Sequence, residues 1–337
     1  MSLYAFPIPQ KIGLRLRCAV VTRAKRMSIV RVPPDDFIYI GGGNFQNIGN
    51  EFFRYLIELG GLQPHHKVLD VGCGIGRLAV PLTQYLNAKG GYDGLDIVPM
   101  GIDWCRQNIT SQYPHFRFHL ADLFNRSYNR HGRFEASAYS FPFQQETFDM
   151  ICLVSVFTHM LPAEVENYLY EIARVLKRNG LCLITYFLWN TESADLHDRK
   201  KCEWNFKFQK GPFRSISRHR PEDAVCFDES FLVKLYQKFG LRLETPIRYG
   251  SWCGRPWATA FQDMILAKKV VCWPAPKPRV TLAHRMKLAI RRVLYGQIVA
   301  RFRRLGMNTP ELEIQRHIQA RKIPPGKNRN AHFARNP

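Results

Sequence analysis

The chain has 337 residues, 46% of them hydrophobic, and a formal net charge of +22. That length and apolar content suit one large α/β domain with appendages and exclude a fibrous or wholly disordered chain. No apolar run nears the roughly 18 residues that a membrane-spanning helix needs, and nine scattered cysteines with no CxxC pair argue against a disulfide framework or a metal centre.

The charge is uneven. Residues 1–34 hold seven Lys/Arg and no acid, and residues 275–337 hold fifteen Lys/Arg against Glu311 and Glu313. The residues between are nearly neutral, so the excess belongs to two arms around an ordinary core. The first arm, residues 1–40, is basic but its apolar runs are too short for a secretory signal. The reading is therefore a cytoplasmic protein that can sit at a membrane periphery.

In chain order, Phe45 to Leu59 has helical apolar spacing and stops at Gly60–Gly61. HKVLDV is a short buried strand, Arg77 to Leu86 a helix, GGYDGLDI a second strand and Met100 to Gln112 a second helix. FRFHLADL is a third strand, followed by a polar loop to about Tyr139. FDMICLVSV is a long apolar strand, buried on both faces. Pro162 to Leu176 is a helix closed by Asn179–Gly180, and LCLITYFL is a fifth strand. Residues 190–227 break the alternation and read as an insertion. Glu229 to Lys238 is helical, and LRLETPIRY and FQDMILAKKV are two last strands whose tight connection predicts an antiparallel hairpin at the sheet edge.

Strands alternating with helices predict right-handed crossovers and a doubly wound, mostly parallel sheet, placed over residues 41–273. A Pro-rich linker and basic tail fill 274–337. In the tail, Leu282 to Leu305 is predicted helical and 323–337 disordered.

Chemistry concentrates at VLDVGCGIGRL, residues 68–78. In such sheets ligands bind beyond the carboxyl ends of the strands. Gly72, Gly74 and Gly76 let the backbone turn tightly, and the following helix start offers free N–H groups. Arg77 stands where a dinucleotide loop wants its third glycine. Asp70, ahead of the glycines, suits a cation better than a phosphate. Asp96, at the end of the second strand, can accept both hydroxyls of a ribose, whereas Asp93 lies mid-strand. Asp122, at the end of the third strand, can accept from an adenine amine while Leu123 meets the ring.

Together VLDVGCGIGR, Asp96 and ADL resemble the class I S-adenosylmethionine-dependent methyltransferases, in particular the small-molecule type. The resemblance runs from about Gly41 to Lys269 and includes FDMICLVSVFTHML and EIARVLKRNGLCLITYFL. It implies a Rossmann-like methyltransferase fold, a seven-stranded sheet with a reversed edge hairpin. It also implies S-adenosyl-L-methionine as cofactor, with the glycine loop and Asp70 around the methionine part, Asp96 at the ribose and Asp122 at the adenine. The long connection between the third and fourth strands departs from the family. After the fourth strand there is no Asn/Asp-Pro-Pro-aromatic motif, which resembling base-amino methyltransferases use, and no Pro-Cys pair.

The fourth strand ends in SVFTHM. His159 is the candidate general base for an oxygen acceptor, and Ser155 and Thr158 are candidates for shaping the loop or touching the cofactor. The insertion carries Trp189, Trp204, Phe206, Phe208, Phe213 and six Lys/Arg between Arg199 and Arg214. It reads as a substrate lid or as a loop with a satellite core. YGSWCGRPW, residues 249–257, reads as a wall of the acceptor pocket or as a packed turn, and GGGNF (Gly41 to Phe45) as a flap over the cofactor or a flexible turn. The expected acceptor is an oxygen on a small molecule or glycan. RNA methylation through the basic arms and a non-catalytic cofactor-binding or scaffold module are the rivals. The tail suits an anionic membrane surface or RNA.

Overall fold

The computed structural model describes residues 32–39, 43–126, 128–130, 132–258, 260–271 and 277–278. The N-terminal extension through residue 31, Gly41 and Gly42 of the expected flap, the expected tail helix over 282–305 and the expected disorder over 323–337 lie outside the described residues.

Helix α1 (Phe45–Glu58) starts at Asn44, whose side chain accepts from the backbone N–H of Asn47 at 2.9 Å. Strands β1 (Lys67–Val71), β2 (Gly91–Asp96), β3 (Phe116–Leu120), β4 (Phe148–Leu153) and β5 (Leu176–Tyr186) follow, with helices α2 (Ala79–Leu82), α3 (Pro99–Cys105) and α4 (Pro162–Val175) between them. Beyond β5 come β6 (Leu188–Trp189), α5 (Thr191–Asp198), β7 (Phe208–Lys210), β8 (Phe213–Ser215), β9 (Val225–Asp228), α6 (Glu229–Lys238), β10 (Leu241–Leu243) and β11 (Asp263–Lys269).

The main sheet has seven strands in the order β10-β11-β5-β4-β1-β2-β3. β3, β2, β1, β4 and β5 are parallel, and β11 runs antiparallel to both β5 and β10. The chain direction reverses outward from β1, so β1 and β4 flank the switch point where a ligand crevice forms. The alternation of β1 divides the core. Leu69 and Val71 join one cluster with Val165, Leu169 and Ile172 of α4; Val68 joins the other with Tyr55, Leu56 and Ile102. Both sheet faces are thus covered by helices. Among the described residues no helix is long and apolar enough to cross a membrane.

Several expected elements change shape. The helix predicted over 77–86 shrinks to α2. Gly76 is still left-handed at φ +81°, and the Thr83 hydroxyl donates to Val80 O at 2.7 Å, competing with the helical pattern. The expected second helix continues from α3 into a π turn over Arg106–Thr110. α4 ends at Val175, and the backbone enters β5 at once; Asn179, at φ +64°, makes an irregularity inside that strand. The edge pair β10–β11 is antiparallel as expected, but its connection is the long segment 244–262 and no tight turn.

The insertion is ordered. β6, β9, β8 and β7 form a second, four-stranded sheet. Phe206 and Cys226 are buried there with Phe187, Trp252 and Cys253. Phe206 and Trp252, aromatics that the sequence offered for a lid or a pocket wall, are core residues. Trp257, by contrast, is 60% exposed.

The second sheet is fixed to β11 by one carboxylate. Asp263 is fully buried and accepts from the backbone N–H of Leu188 at 2.7 Å, that of Gly250 at 2.7 Å, Trp252 Nε1 at 2.7 Å and Arg255 Nη1 at 3.1 Å. Arg255 reaches on to Glu192 of α5 at 2.7 Å. Breaking a buried pair by removing one partner costs about 3–5 kcal/mol, against under about 1 kcal/mol for an exposed one. Asp263→Ala is expected to lower unfolding stability by that larger amount in urea titrations, whereas Asp195→Ala, which breaks the exposed Asp195–Arg199 pair, shifts it by less than about 1 kcal/mol. Equal effects would contradict this assignment.

Candidate active site

The glycine loop leaves β1 with Gly72, Gly74 and Gly76 at φ +81°, +56° and +81°. All three occupy the left-handed region that only glycine enters freely. The loop is bound to the end of β2: Gly72 N–H donates to Leu95 O at 2.7 Å, and Gly74 N–H donates to Asp96 Oδ2 at 2.8 Å. The other oxygen of Asp96 accepts from Val98 N–H at 2.9 Å. Burial pushes the Asp96 carboxyl up, against the opposing pull of these N–H groups. Each oxygen keeps a further lone pair for a hydroxyl donor.

Asp70 lies beneath this loop, buried in the sheet. Tyr92 Oη donates to its Oδ2 at 2.7 Å and Cys152 Sγ to its Oδ1 at 3.6 Å. Burial pushes its carboxyl up to about 6. Asp93 faces the other side and pairs with Arg117 at 2.8 Å and His119 at 2.7 Å, so the mid-strand acid is occupied by its neighbours on β3. Asp122 is held by the backbone N–H of Arg133 at 3.1 Å and by the Arg133 guanidinium. Leu123 is buried and bridges to Phe134.

At the end of β4, Ser155 is left-handed at φ +59°, a conformation that costs a non-glycine residue free energy and recurs at functional sites. Its N–H donates to Thr185 Oγ1 at 2.8 Å, and its Oγ accepts from Gln262 Nε2 at 2.7 Å. His159 follows in a short 3-10 turn, with Nδ1 at 3.0 Å from the carbonyl oxygen of Glu222 in the insertion. A carbonyl only accepts, so Nδ1 carries the proton and Nε2 keeps its lone pair. Burial lowers the His159 pKa and favours the neutral ring. Thr158 Oγ1 and Glu222 Oε2 are both buried without a hydrogen-bond partner.

One residue escaped sequence reasoning. Tyr39, in the segment ahead of α1, packs into the cleft between the glycine loop and α3. A Cβ at Gly101 would strike both its hydroxyl and, at 2.7 Å, Gly74 O. The Tyr39 hydroxyl is buried and has no hydrogen-bond partner among the described residues, and the Asp96 charge beside it adds to burial in raising its pKa. The only sequence signal was Gly101, a glycine inside a helix where a close approach had to occur.

The structure thus brings together Gly72, Gly74, Asp96 and Tyr39, joins Ser155 to Gln262 at the end of β4, and ties His159, four residues on, to Glu222 of the insertion. A nucleoside fits the first group, because Asp96 has acceptor capacity left and Tyr39 has an unmet donor. Among the described residues no cluster of three or more His, Cys, Asp or Glu could hold a metal.

A family model described as a methyltransferase domain matches residues 69–184. An uncharacterized protein of Haemophilus influenzae is 26% identical over 182 residues, covering 50% of this chain and 66% of its own length. A tRNA N(3)-cytidine methyltransferase of Gallus gallus is 24% identical over 125 residues, covering 37% of this chain and 31% of its own. The chain therefore spans less than two thirds of the length of these curated relatives. A solved structure of a methyltransferase from Methanosarcina mazei overlays with a TM-score of 0.45 at 19% identity, over 64% of this chain and 98% of that one. The matched segment runs from β1 to β5, the strands that carry the glycine loop, Asp96 and Ser155. Residues 69–184, about a third of the chain and the part that carries the glycine loop, Asp96 and Ser155, are thus similar to a methyltransferase domain.

Proposed function

We propose that the chain moves the methyl group of S-adenosyl-L-methionine to an oxygen of a small molecule or glycan, in the crevice beyond the carboxyl ends of β1, β2 and β4. The observation that carries the oxygen acceptor is His159. Its Nδ1–H is tied to Glu222 O at 3.0 Å and its ring is kept neutral by burial. This leaves Nε2 as a base in a fixed orientation, which a hydroxyl acceptor needs and a readily deprotonated nucleophile does not.

The cofactor supplies an electrophilic methyl on a sulfonium sulfur. The chain's own work is to hold donor and acceptor in line, exclude water and take one proton. Gly72, Gly74 and Gly76 let the backbone approach the methionine part, and Asp70 lies below it as a buried negative charge. Asp96 takes the ribose hydroxyls. Asp122 and Leu123 take the edge and face of the adenine, with the Arg133 contact to Asp122 giving way or being shared. Ser155 and Tyr39 close the methionine end. The acceptor hydroxyl would meet His159 Nε2, which would take its proton during the transfer.

RNA methylation is the second reading. The net charge of +22 and the tRNA-modifying relative favour it.

Asp96→Ala is expected to abolish S-adenosylmethionine binding in calorimetry while the circular dichroism spectrum stays unchanged; retained binding would remove Asp96 from the site. Tyr39→Phe removes an unsatisfied buried hydroxyl. It should leave the free chain as stable or up to about 1 kcal/mol more stable, and weaken cofactor binding about tenfold. His159→Gln should lower kcat by about 10²–10⁴-fold with unchanged cofactor affinity. The wild-type rate should fall on the acid side with a midpoint below 6.5, the ordinary value from which burial lowers this histidine. The unfolded chain binds that proton more readily, so stability too is full above pH 6.5 and declines as the pH falls through it. A rate with no acid limb, or a fully active Gln variant, would rule out the base.

A further inference from the structure

The rim of the proposed acceptor crevice carries a concentration of arginine that the methyl-transfer reading leaves unused. The loop after β3 passes Asp122 and the cofactor end, and there Arg126 Nη1 donates across to His219 O of the insertion at 3.2 Å. Arg130 Nε donates to Arg126 O at 2.8 Å, which fixes a second guanidinium beside the first. Arg218 adjoins His219 on the insertion side. From His219 the chain continues to Arg220, paired with Asp223 at 2.9 Å, and to Glu222, whose carbonyl holds His159. The Arg126–His219 contact therefore spans from the segment over the cofactor acids to the segment that orients the candidate base.

Arg126, Arg130 and Arg218 are exposed, and none forms an ion pair among the described residues. Arg133 and Arg220 pair with Asp122 and Asp223. The two stretches, 122–135 and 218–223, carry five arginines, two of them paired, and four carboxylates, Asp122, Glu135, Glu222 and Asp223. Three guanidiniums, those of Arg126, Arg130 and Arg218, are left without a carboxylate among the described residues, and arginine forks match phosphate oxygens in geometry.

We propose that this rim is an acceptor subsite for a phosphoryl group, so that the methyl acceptor is a phosphorylated small molecule. The proposal rests on the crevice being the methyl-transfer site. Its cations lie on two short stretches, 126–133 and 218–220, joined by the Arg126–His219 contact. A nucleic-acid track would need a row of cations along the backbone with several stacking aromatics between them; of the exposed aromatics Phe134 adjoins this cluster, under Arg133, whereas Trp257 and Phe261 lie on the separate connection between β10 and β11.

The test is calorimetric titration of inorganic phosphate into the full chain saturated with S-adenosylhomocysteine. The wild type should show saturable binding. Arg126→Gln/Arg218→Gln should weaken it about tenfold or more, and the charge-matched Lys210→Gln/Lys234→Gln should stay within about twofold. Both variants should keep wild-type affinity for S-adenosylhomocysteine. Equal losses in the two variants would reduce the effect to general charge and overturn the subsite. So would absent phosphate binding in a wild type that holds S-adenosylhomocysteine, or arginine-dependent binding of a single-stranded RNA oligomer without binding of phosphate. Failure of the wild type to bind S-adenosylhomocysteine would instead overturn the methyl-transfer reading itself.

Discussion

The buried carboxylate of Asp263 is the contact on which the acceptor half of this molecule depends. It has no solvent exposure and satisfies four donors from two segments of the chain, Leu188 and residues 250–255. An isolated buried charge of this kind is prohibitive, and the cost is offset only because Arg255 and three N–H groups converge on it. Asp263 opens β11, the one strand of the main sheet that runs backwards, and it sits opposite Tyr186 at the carboxyl end of β5. The same residue therefore fixes the reversed strand, the start of the second sheet and, through Arg255 and Glu192, helix α5. The second sheet in turn delivers Glu222 to His159. If the hub loosens, the orientation of the candidate base loosens with it.

The donor half is held by a different device. Asp96 receives N–H groups from Gly74 in the glycine loop and Val98 ahead of α3, so one side chain locks the two βα turns that border the crevice. This contact is local, and each partner lies at the end of a parallel strand. The acceptor half is assembled from sequence-distant pieces. The proposed donor half is thus made of short-range features, and the proposed acceptor half of the insertion and the long connection to β11.

The same division governs how much could be read from sequence. The positions of the glycine turn and of Asp96 at strand ends, and of Asp93 mid-strand, were legible because strand ends and glycine spacing are local properties. The seven strands and the antiparallel edge pair followed from the run of elements along the chain. The tight hairpin did not follow, because nothing in LRLETPIRYGSWCGRPW marks it as a connection whose indole and guanidinium turn inward to Asp263. Trp204, Phe206 and Trp252 looked like ligand-stacking aromatics, yet Phe206 and Trp252 fill a core that exists only once residues 188–228 form their own sheet. Tyr39 was invisible for a related reason: its value lies in an unpaired hydroxyl placed by tertiary packing. His159 was legible as a residue but not as a tautomer, since its carbonyl partner is 63 positions away.

The central claim, methyl transfer to a small molecule, is tested most directly by incubating the chain with methyl-labelled S-adenosylmethionine and a cell extract separated into small-molecule and RNA fractions. The account predicts label in the small-molecule fraction, bound through oxygen and absent when His159→Gln replaces the wild type. Label confined to the RNA fraction, or no transfer to either fraction by a chain that binds the cofactor, would contradict it.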